Sequence, residues 1–119
     1  MISECQLAKN KKKHDKRADL VLQIVNTDLS FVMSDDGWIG PCIHCNRKYV
    51  VEKDGSTMFT IEHIVPKGQG GTDDLKNLAL SCKTCNNDKG LTHDQKTNQR
   101  SQEVIERLLK KRAKNWKGD

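Results

Sequence analysis

Four of the five cysteines form two Cys-x-x-Cys pairs, Cys42 with Cys45 and Cys82 with Cys85. Two such pairs can present four thiolates tetrahedrally to one Zn²⁺ ion and leave no coordination position for a reactant. A closed site of this kind is structural, and it contributes folding free energy on the order of 10 kcal/mol. The spacing therefore predicts a structural zinc site, with two disulfides, four free thiols or an iron site as alternatives. Cys5 has no partner in this pattern.

A second group of polar residues lies between and just after the cysteine pairs. Glu62 and His63 are adjacent at the end of a predicted strand, Asn77 follows in the next loop, and Asn86 comes directly after Cys85. Taken alone, the Glu-His pair is typical of a partly buried strand histidine, and Asn77 of a turn-capping asparagine. His44, inside the first cysteine pair, could replace a cysteine as a metal ligand or face solvent.

The order and register of these residues resemble one enzyme family. The resemblance rests on Cys42-x-x-Cys45 and on the segments TIEHIVP (60–66), GGTDDLKNL (70–78) and CKTCNNDKG (82–90). Together they closely resemble the HNH endonucleases of the ββα-metal (His-Me finger) architecture, over roughly residues 40–92. The resemblance implies an α+β fold, a small ββα-metal core with a four-cysteine zinc site, flanked here by N- and C-terminal helices.

The resemblance also implies a role for each matching residue. His63 would be the general base, Glu62 and Asn86 would bind a catalytic cation, and Asn77 would fix the loop and orient His63. Asn87 adjoins Asn86, and the family register favours Asn86. Two departures stand out, because the family more often has Asp at position 62 and many members have His at position 86.

The chemistry of these side chains fits that reading. Hydrolysis of a phosphodiester needs a base for the proton of water and a cation for the charge on phosphate. Imidazole can accept the proton near neutral pH, and the oxygen ligands of Glu62 and Asn86 favour Mg²⁺ or Mn²⁺ over catalytic zinc. Lys89, about one helical turn beyond Asn86, could reach the scissile or a neighbouring phosphate.

The net charge of +5 is divided unevenly along the chain. Residues 1–19 carry +3, residues 20–95 carry −3 and residues 96–119 carry +5. Basic ends can be a solvated helix face and arm, but beside a phosphodiesterase motif they predict contacts to the phosphate backbone. The candidate DNA-binding residues are Lys67, Lys110, Lys111, Arg112 and Lys114. Aromatic residues for base stacking are few, which favours duplex over single-stranded DNA.

The elements that must position these residues follow from periodicity and turn signals. An amphipathic pattern predicts a helix from about residue 15 to about 33, and residues 34–41 form a turn-rich break. Residues 49–51 and 58–65 are predicted to be the two strands of a hairpin, and 78–80 a further strand. Residues 86–89 predict a short helix, and a basic helix starts near Thr97 or Ser101.

These patterns predict one compact domain with an N-terminal basic arm and helix (1–39), a nuclease core (40–92) and a C-terminal basic helix (93–119). The expected function is metal-dependent endonuclease cleavage of DNA, nicking or cutting a duplex, with a non-catalytic zinc-stapled DNA-binding or adaptor module as the alternative. A homodimer would explain a double-strand cut. Without a long apolar stretch or a signal sequence, we expect no membrane partner and a cytoplasmic protein of a bacterial or phage-infected cell.

Overall fold

A computed structural model describes residues 16–87 and 99–118 of the chain. Helix α1 (16–26) leads into strands β1 (Val32–Ser34), β2 (Gly37–Pro41) and β3 (Lys48–Glu52), which form an antiparallel sheet in that order. Strands β4 (Thr60–His63) and β5 (Leu78–Ser81) form a second antiparallel sheet. Helices α2 (Lys83–Asn87) and α3 (Gln102–Lys114) follow. This α+β architecture confirms the predicted fold class.

The larger apolar core joins α1 to both sheets. Val21 and Ile24 of α1 are fully buried, and they belong to one cluster with Phe59, Leu78 and three of the four paired cysteines, Cys42, Cys82 and Cys85. The ring of Phe59 meets two other aromatic rings edge-on, a geometry that aromatic quadrupoles favour. Three of the four paired cysteines are therefore part of the hydrophobic core, and Cys45 is exposed.

Helix α3 packs on the other side of the small sheet. Its Leu108 is buried in a second cluster with Ile43, Ile64 and Ala79. The helix begins where the periodicity predicted, because the Ser101 hydroxyl accepts a hydrogen bond from the amide of Val104 at 3.3 Å. Among the helices that the structure describes, none has the length and apolar character needed to cross a bilayer.

The first helix is shorter than the predicted 15–33. It ends at residue 26, and Val32 begins β1. The Asp28 carboxylate accepts hydrogen bonds from the amide and hydroxyl of Ser30, a local turn that competes with helix. The amide of Leu29 donates to the carbonyl of Asn115, so a contact from the far end of α3 fixes the chain here.

The predicted hairpin between residues 49–51 and 58–65 is also corrected. Strand β3 forms as expected, but its partner is β2, which lies within the stretch predicted to be a turn-rich break. Strand β4 pairs with β5 instead of with β3. One isolated bridge, Val51 to Thr57, is what remains of the expected hairpin. Gly40 suggested a turn, but in β2 a Cβ there would lie 2.3 Å from the ring of Phe31. The absence of a side chain at Gly40 therefore lets the Phe31 ring pack against β2.

Candidate active site

The four cysteines of the two Cys-x-x-Cys pairs converge as the spacing predicted. Cys42 follows β2, Cys82 follows β5, and Cys85 lies on α2. Their sulfur atoms all lie within 4.8 Å of one another, and Cys45 Sγ is 3.8 Å from Cys82 Sγ. Four thiolates at about 2.3 Å from a tetrahedral Zn²⁺ would be separated by about 3.8 Å. The cluster could therefore hold a zinc ion.

Hydrogen bonds to sulfur prepare this cluster for a cation. The amides of His44 and Cys82 donate to Cys42 Sγ at 3.4 and 3.3 Å. Burial raises the pKa of the Cys42 and Cys85 thiols. Burial alone would also raise the pKa of Cys82, but hydrogen bonds from the Cys85 amide and from the neighbouring thiols lower it to about 7. The Cys82 thiol can therefore lose its proton near neutral pH and become a thiolate.

Glu62 lies in a buried polar cluster formed with His44 and Arg100. Its carboxylate is 2.6 Å from His44 Nε2 through one oxygen and pairs with the Arg100 guanidinium through the other. Burial raises the pKa of this carboxyl, but the His44 hydrogen bond and the Arg100 charge outweigh it, so the pKa lies below its usual value. An ionised carboxylate accepts at both oxygens, so His44 Nε2 carries the hydrogen.

Arg100 is fixed from several sides. Its guanidinium donates to the carbonyls of His63 and Ile64 at 3.1 and 2.8 Å, besides pairing with Glu62. The Gln69 side chain accepts from the Arg100 amide and donates to its carbonyl, at 2.7 and 3.0 Å. Arg100 therefore ties the end of β4 to the chain that enters α3.

His63 ends β4, on the next position after Glu62, and its side chain is 30% exposed. Its Nε2 lies 2.7 Å from Asp73 Oδ1, and Lys67 Nζ lies 3.2 Å from the other oxygen of that carboxylate. The hydrogen bond from His63, followed by the one from Lys67, lowers the pKa of Asp73. Because a carboxylate only accepts, Nε2 is the protonated ring nitrogen and Nδ1 bears the lone pair.

Asn77 closes the loop between His63 and β5. Its Oδ1 accepts from the Val65 amide at 2.8 Å, and its Nδ2 donates to the carbonyls of Val65 and Thr72, at 3.1 and 2.8 Å. The Ile64 amide donates to the carbonyl of Asn77 itself at 2.8 Å. The amide side chain thus joins the residues after His63 to those just before Asp73.

These elements form a ββα unit, with β4 and β5 antiparallel and α2 directly after them. The HNH endonuclease family model matches residues 42–91, which contain this unit and the cysteine cluster. Residues 42–91 match an HNH domain. The match confirms the resemblance drawn from the motifs. We found no significant match among curated proteins or among solved structures.

Two HNH motif residues remain, Asn86 and Lys89. Asn86 is on α2, and α2 contacts β4, the strand that carries Glu62. Lys89 lies outside the described residues.

The candidate DNA-binding residues differ in their exposure. Lys67, Lys110 and Lys114 are exposed. Lys111 is half-buried, and its ammonium donates to the carbonyl of Ile43 at 2.8 Å and to Asn46 Oδ1. These bonds hold α3 against the first cysteine pair of the HNH domain.

Arg112 was predicted to contact DNA, but the structure buries it. It is 1% exposed, and its guanidinium donates to the carbonyls of Thr27, Leu75 and Leu78 and to the Thr27 hydroxyl. The side chain is therefore enclosed by protein and joins α3 to α1 and β5. It is a structural residue rather than a phosphate contact.

Three residues around the HNH motif were not identified from the sequence. Asp73 lies in the loop after the Gly-Gly turn, where an acidic residue is ordinary and gives no signal of its contact with His63. Arg100 lies beyond the HNH match, so its approach to Glu62 depends on the tertiary fold. His44 neither replaces a cysteine nor faces solvent, because its ring turns to Glu62.

Proposed function

We propose that this chain is a metal-dependent endonuclease that hydrolyses phosphodiester bonds in DNA, with His63 as the general base. The observation that supports this best is the His63–Asp73 hydrogen bond at 2.7 Å. It fixes the hydrogen on Nε2 and leaves the Nδ1 lone pair to take a proton from water. The ring, which is 30% exposed, remains accessible to a substrate phosphate.

Asp73 and Asn77 are proposed to position the base. Asp73 sets the tautomer and the ring orientation of His63, as a carboxylate does for imidazole in other hydrolytic sites. Asn77 holds the two ends of the loop that carries Asp73. His63 and its partner therefore stay in register while the ring accepts the proton.

Glu62 and Asn86 are the proposed protein ligands of a catalytic Mg²⁺ or Mn²⁺. The carboxylate of Glu62 accepts one bond at each oxygen, from His44 and from Arg100, and a carboxylate has about four acceptor positions. The oxygen ligands of Glu62 and Asn86 therefore suit a hard cation, and Glu62 could bind it while keeping its hydrogen bonds to His44 and Arg100. When bound, the cation would neutralise charge on the phosphate.

The cysteine cluster is proposed to bind Zn²⁺ in a structural role. Its four sulfur ligands leave no position for substrate. The ion would fix Cys82 and Cys85 on either side of the turn from β5 into α2, which carries Asn86. Phosphate contacts are proposed for the exposed Lys67, Lys110 and Lys114, with Lys111 holding α3 in place, and Lys89 remains a proposed phosphate ligand.

The experiment is plasmid cleavage. Purified full-length protein is incubated with supercoiled plasmid and Mg²⁺ or Mn²⁺, beside a His63→Ala variant, and both are assayed for plasmid binding in EDTA. We expect nicked or linear product with the wild-type protein, no product with His63→Ala, and equal binding by both. Intact plasmid across several divalent ions, or equal cleavage by the variant, would refute the proposed mechanism.

A non-catalytic DNA-binding or adaptor module is the second candidate. The observation that favours it is the buried Glu62, which already has a guanidinium as its counter-ion. A protein that binds plasmid but leaves it intact with every divalent ion would support this candidate. The wild-type arm of the same assay thus separates the two functions.

A further inference from the structure

An apolar stripe crosses one face of the three-stranded sheet. Val32, Ile39 and Val50 lie directly opposite one another on β1, β2 and β3, and they are 65%, 40% and 46% exposed. Met58, 77% exposed, extends the stripe, because it lines a groove together with Val50. Single exposed apolar residues are ordinary on a protein surface, but an aligned row of them indicates an interaction site.

In the described part of the chain, the face of the sheet that carries this stripe lies outside the core. Side chains alternate along a strand, so Val51, next to Val50, is fully buried on the opposite face of the sheet. Trp38, next to Ile39, likewise packs against the core. The sheet thus has one face in the core and a second face that presents β-branched residues where polar ones are usual.

Two opposite charges flank the stripe on that face. Lys48 and Glu52 lie two positions before and two positions after Val50 on β3, and both are exposed. At about 3.3 Å per residue, each lies about 7 Å from Val50 along the strand. The face therefore presents a positive site, an apolar row and a negative site in that order.

We infer that this face is the contact between two copies of the chain, related by a two-fold axis along the stripe. Such an axis reverses the strand direction and leaves the stripe in place, so each Val50 faces the partner's Val50. The same operation brings Lys48 opposite the partner's Glu52, and Glu52 opposite the partner's Lys48. The surface is therefore complementary to itself, as an isologous interface must be.

Nucleic acid does not fit this face as well. The stripe carries no charge, and Glu52 at its edge would repel phosphate. A second copy satisfies both flanking charges and covers the apolar row. Because the patch is small, we expect a reversible dimer rather than an obligate one. The inference does not rest on the proposed nuclease activity.

The test is sedimentation analysis of the full-length chain over a range of concentrations. We expect the wild-type protein to pass from monomer to dimer. Lys48→Glu and Glu52→Lys should each weaken dimerisation by about tenfold or more, since each places like charges together twice. The double variant Lys48→Glu/Glu52→Lys should recover it. Ile39→Ser should weaken it, and Glu103→Lys, an exposed charge reversal on α3, should have no effect.

Circular dichroism establishes that each variant is folded. A wild-type protein that stays monomeric at every concentration would overturn the inference. Single variants that dimerise like the wild type would also overturn it. A double variant that fails to recover the dimer would overturn the two-fold arrangement, because that arrangement requires Lys48 and Glu52 to exchange places without cost.

Discussion

Replacing Arg112 tests whether this side chain belongs to the core or to a DNA-binding surface. In Arg112→Met the apolar stem remains, but four hydrogen bonds at 2.8 to 3.1 Å are lost. The carbonyl of Leu78 loses the guanidinium as a donor, and the carbonyl of Leu75 loses it too but keeps the Leu78 amide. Asp28, 8% exposed at its side chain, loses the cation 3.8 Å away. The stacking of the guanidinium 4.9 Å from the Trp116 ring centre is also lost.

The expected loss follows from the burial of these partners. Removing one member of a buried ionic pair costs about 3–5 kcal/mol, because the other member is left without its partner. For a domain of this length, that loss lowers the Tm by on the order of 10–20 °C. Urea unfolding followed by circular dichroism measures the change in free energy directly.

The matched control is Lys114→Met, two positions along the same helix and exposed. We expect its unfolding free energy to change by less than about 0.5 kcal/mol. If Lys114 contacts phosphate, its removal instead weakens DNA binding and reduces the salt dependence by about one phosphate contact. An Arg112→Met variant with unchanged unfolding and weakened DNA binding would refute the structural role of Arg112.

Three further predictions concern the site. Asp73→Asn should slow single-turnover cleavage by about 10–100-fold without changing plasmid binding, because the tautomer of His63 is no longer fixed; an unchanged rate would contradict the orienting role. Cys45→Ser should lower zinc content, measured by elemental analysis, from about one ion per chain, and full retention would exclude the four-cysteine site. His44→Phe should weaken Mn²⁺ binding, followed by electron paramagnetic resonance, by about tenfold, because Glu62 loses its neighbour; equal affinity would separate Glu62 from the cation site.

The sequence predicted the features that depend on local spacing. The cysteine pairs, strand β5 and the start of α3 at Ser101 each follow from residues close together in the chain. The pairing of β3 with β2 and of β4 with β5 could not be predicted in this way. Strand partners are chosen by packing across the fold, and Gly40 suggested a turn because its contact with Phe31 is not visible in the sequence.

Arg112 was misassigned although the sequence holds a signal for its burial. It lies four residues after Leu108 and seven after Ile105, so it falls on the apolar face of α3. A cation on that face must find acceptors within the protein, and the carbonyls at the ends of neighbouring elements supply them. The composition of a basic helix does not distinguish such a residue from one on the solvent face.

Burial limits how many basic residues can contact DNA. Arg100 and Arg112 are 4% and 1% exposed, and Lys111 is held by Ile43 and Asn46. Of the cations between residues 100 and 117, the exposed ones that the structure describes are Arg107, Lys110, Lys114 and Lys117. If all four contact phosphate, they contribute about 3.6 to the salt slope of binding. Under the proposed function, the basic residues near the end of the chain would serve two purposes, because Arg100 pairs with Glu62 and Arg112 joins α3 to α1 and β5, while the exposed cations would contact DNA.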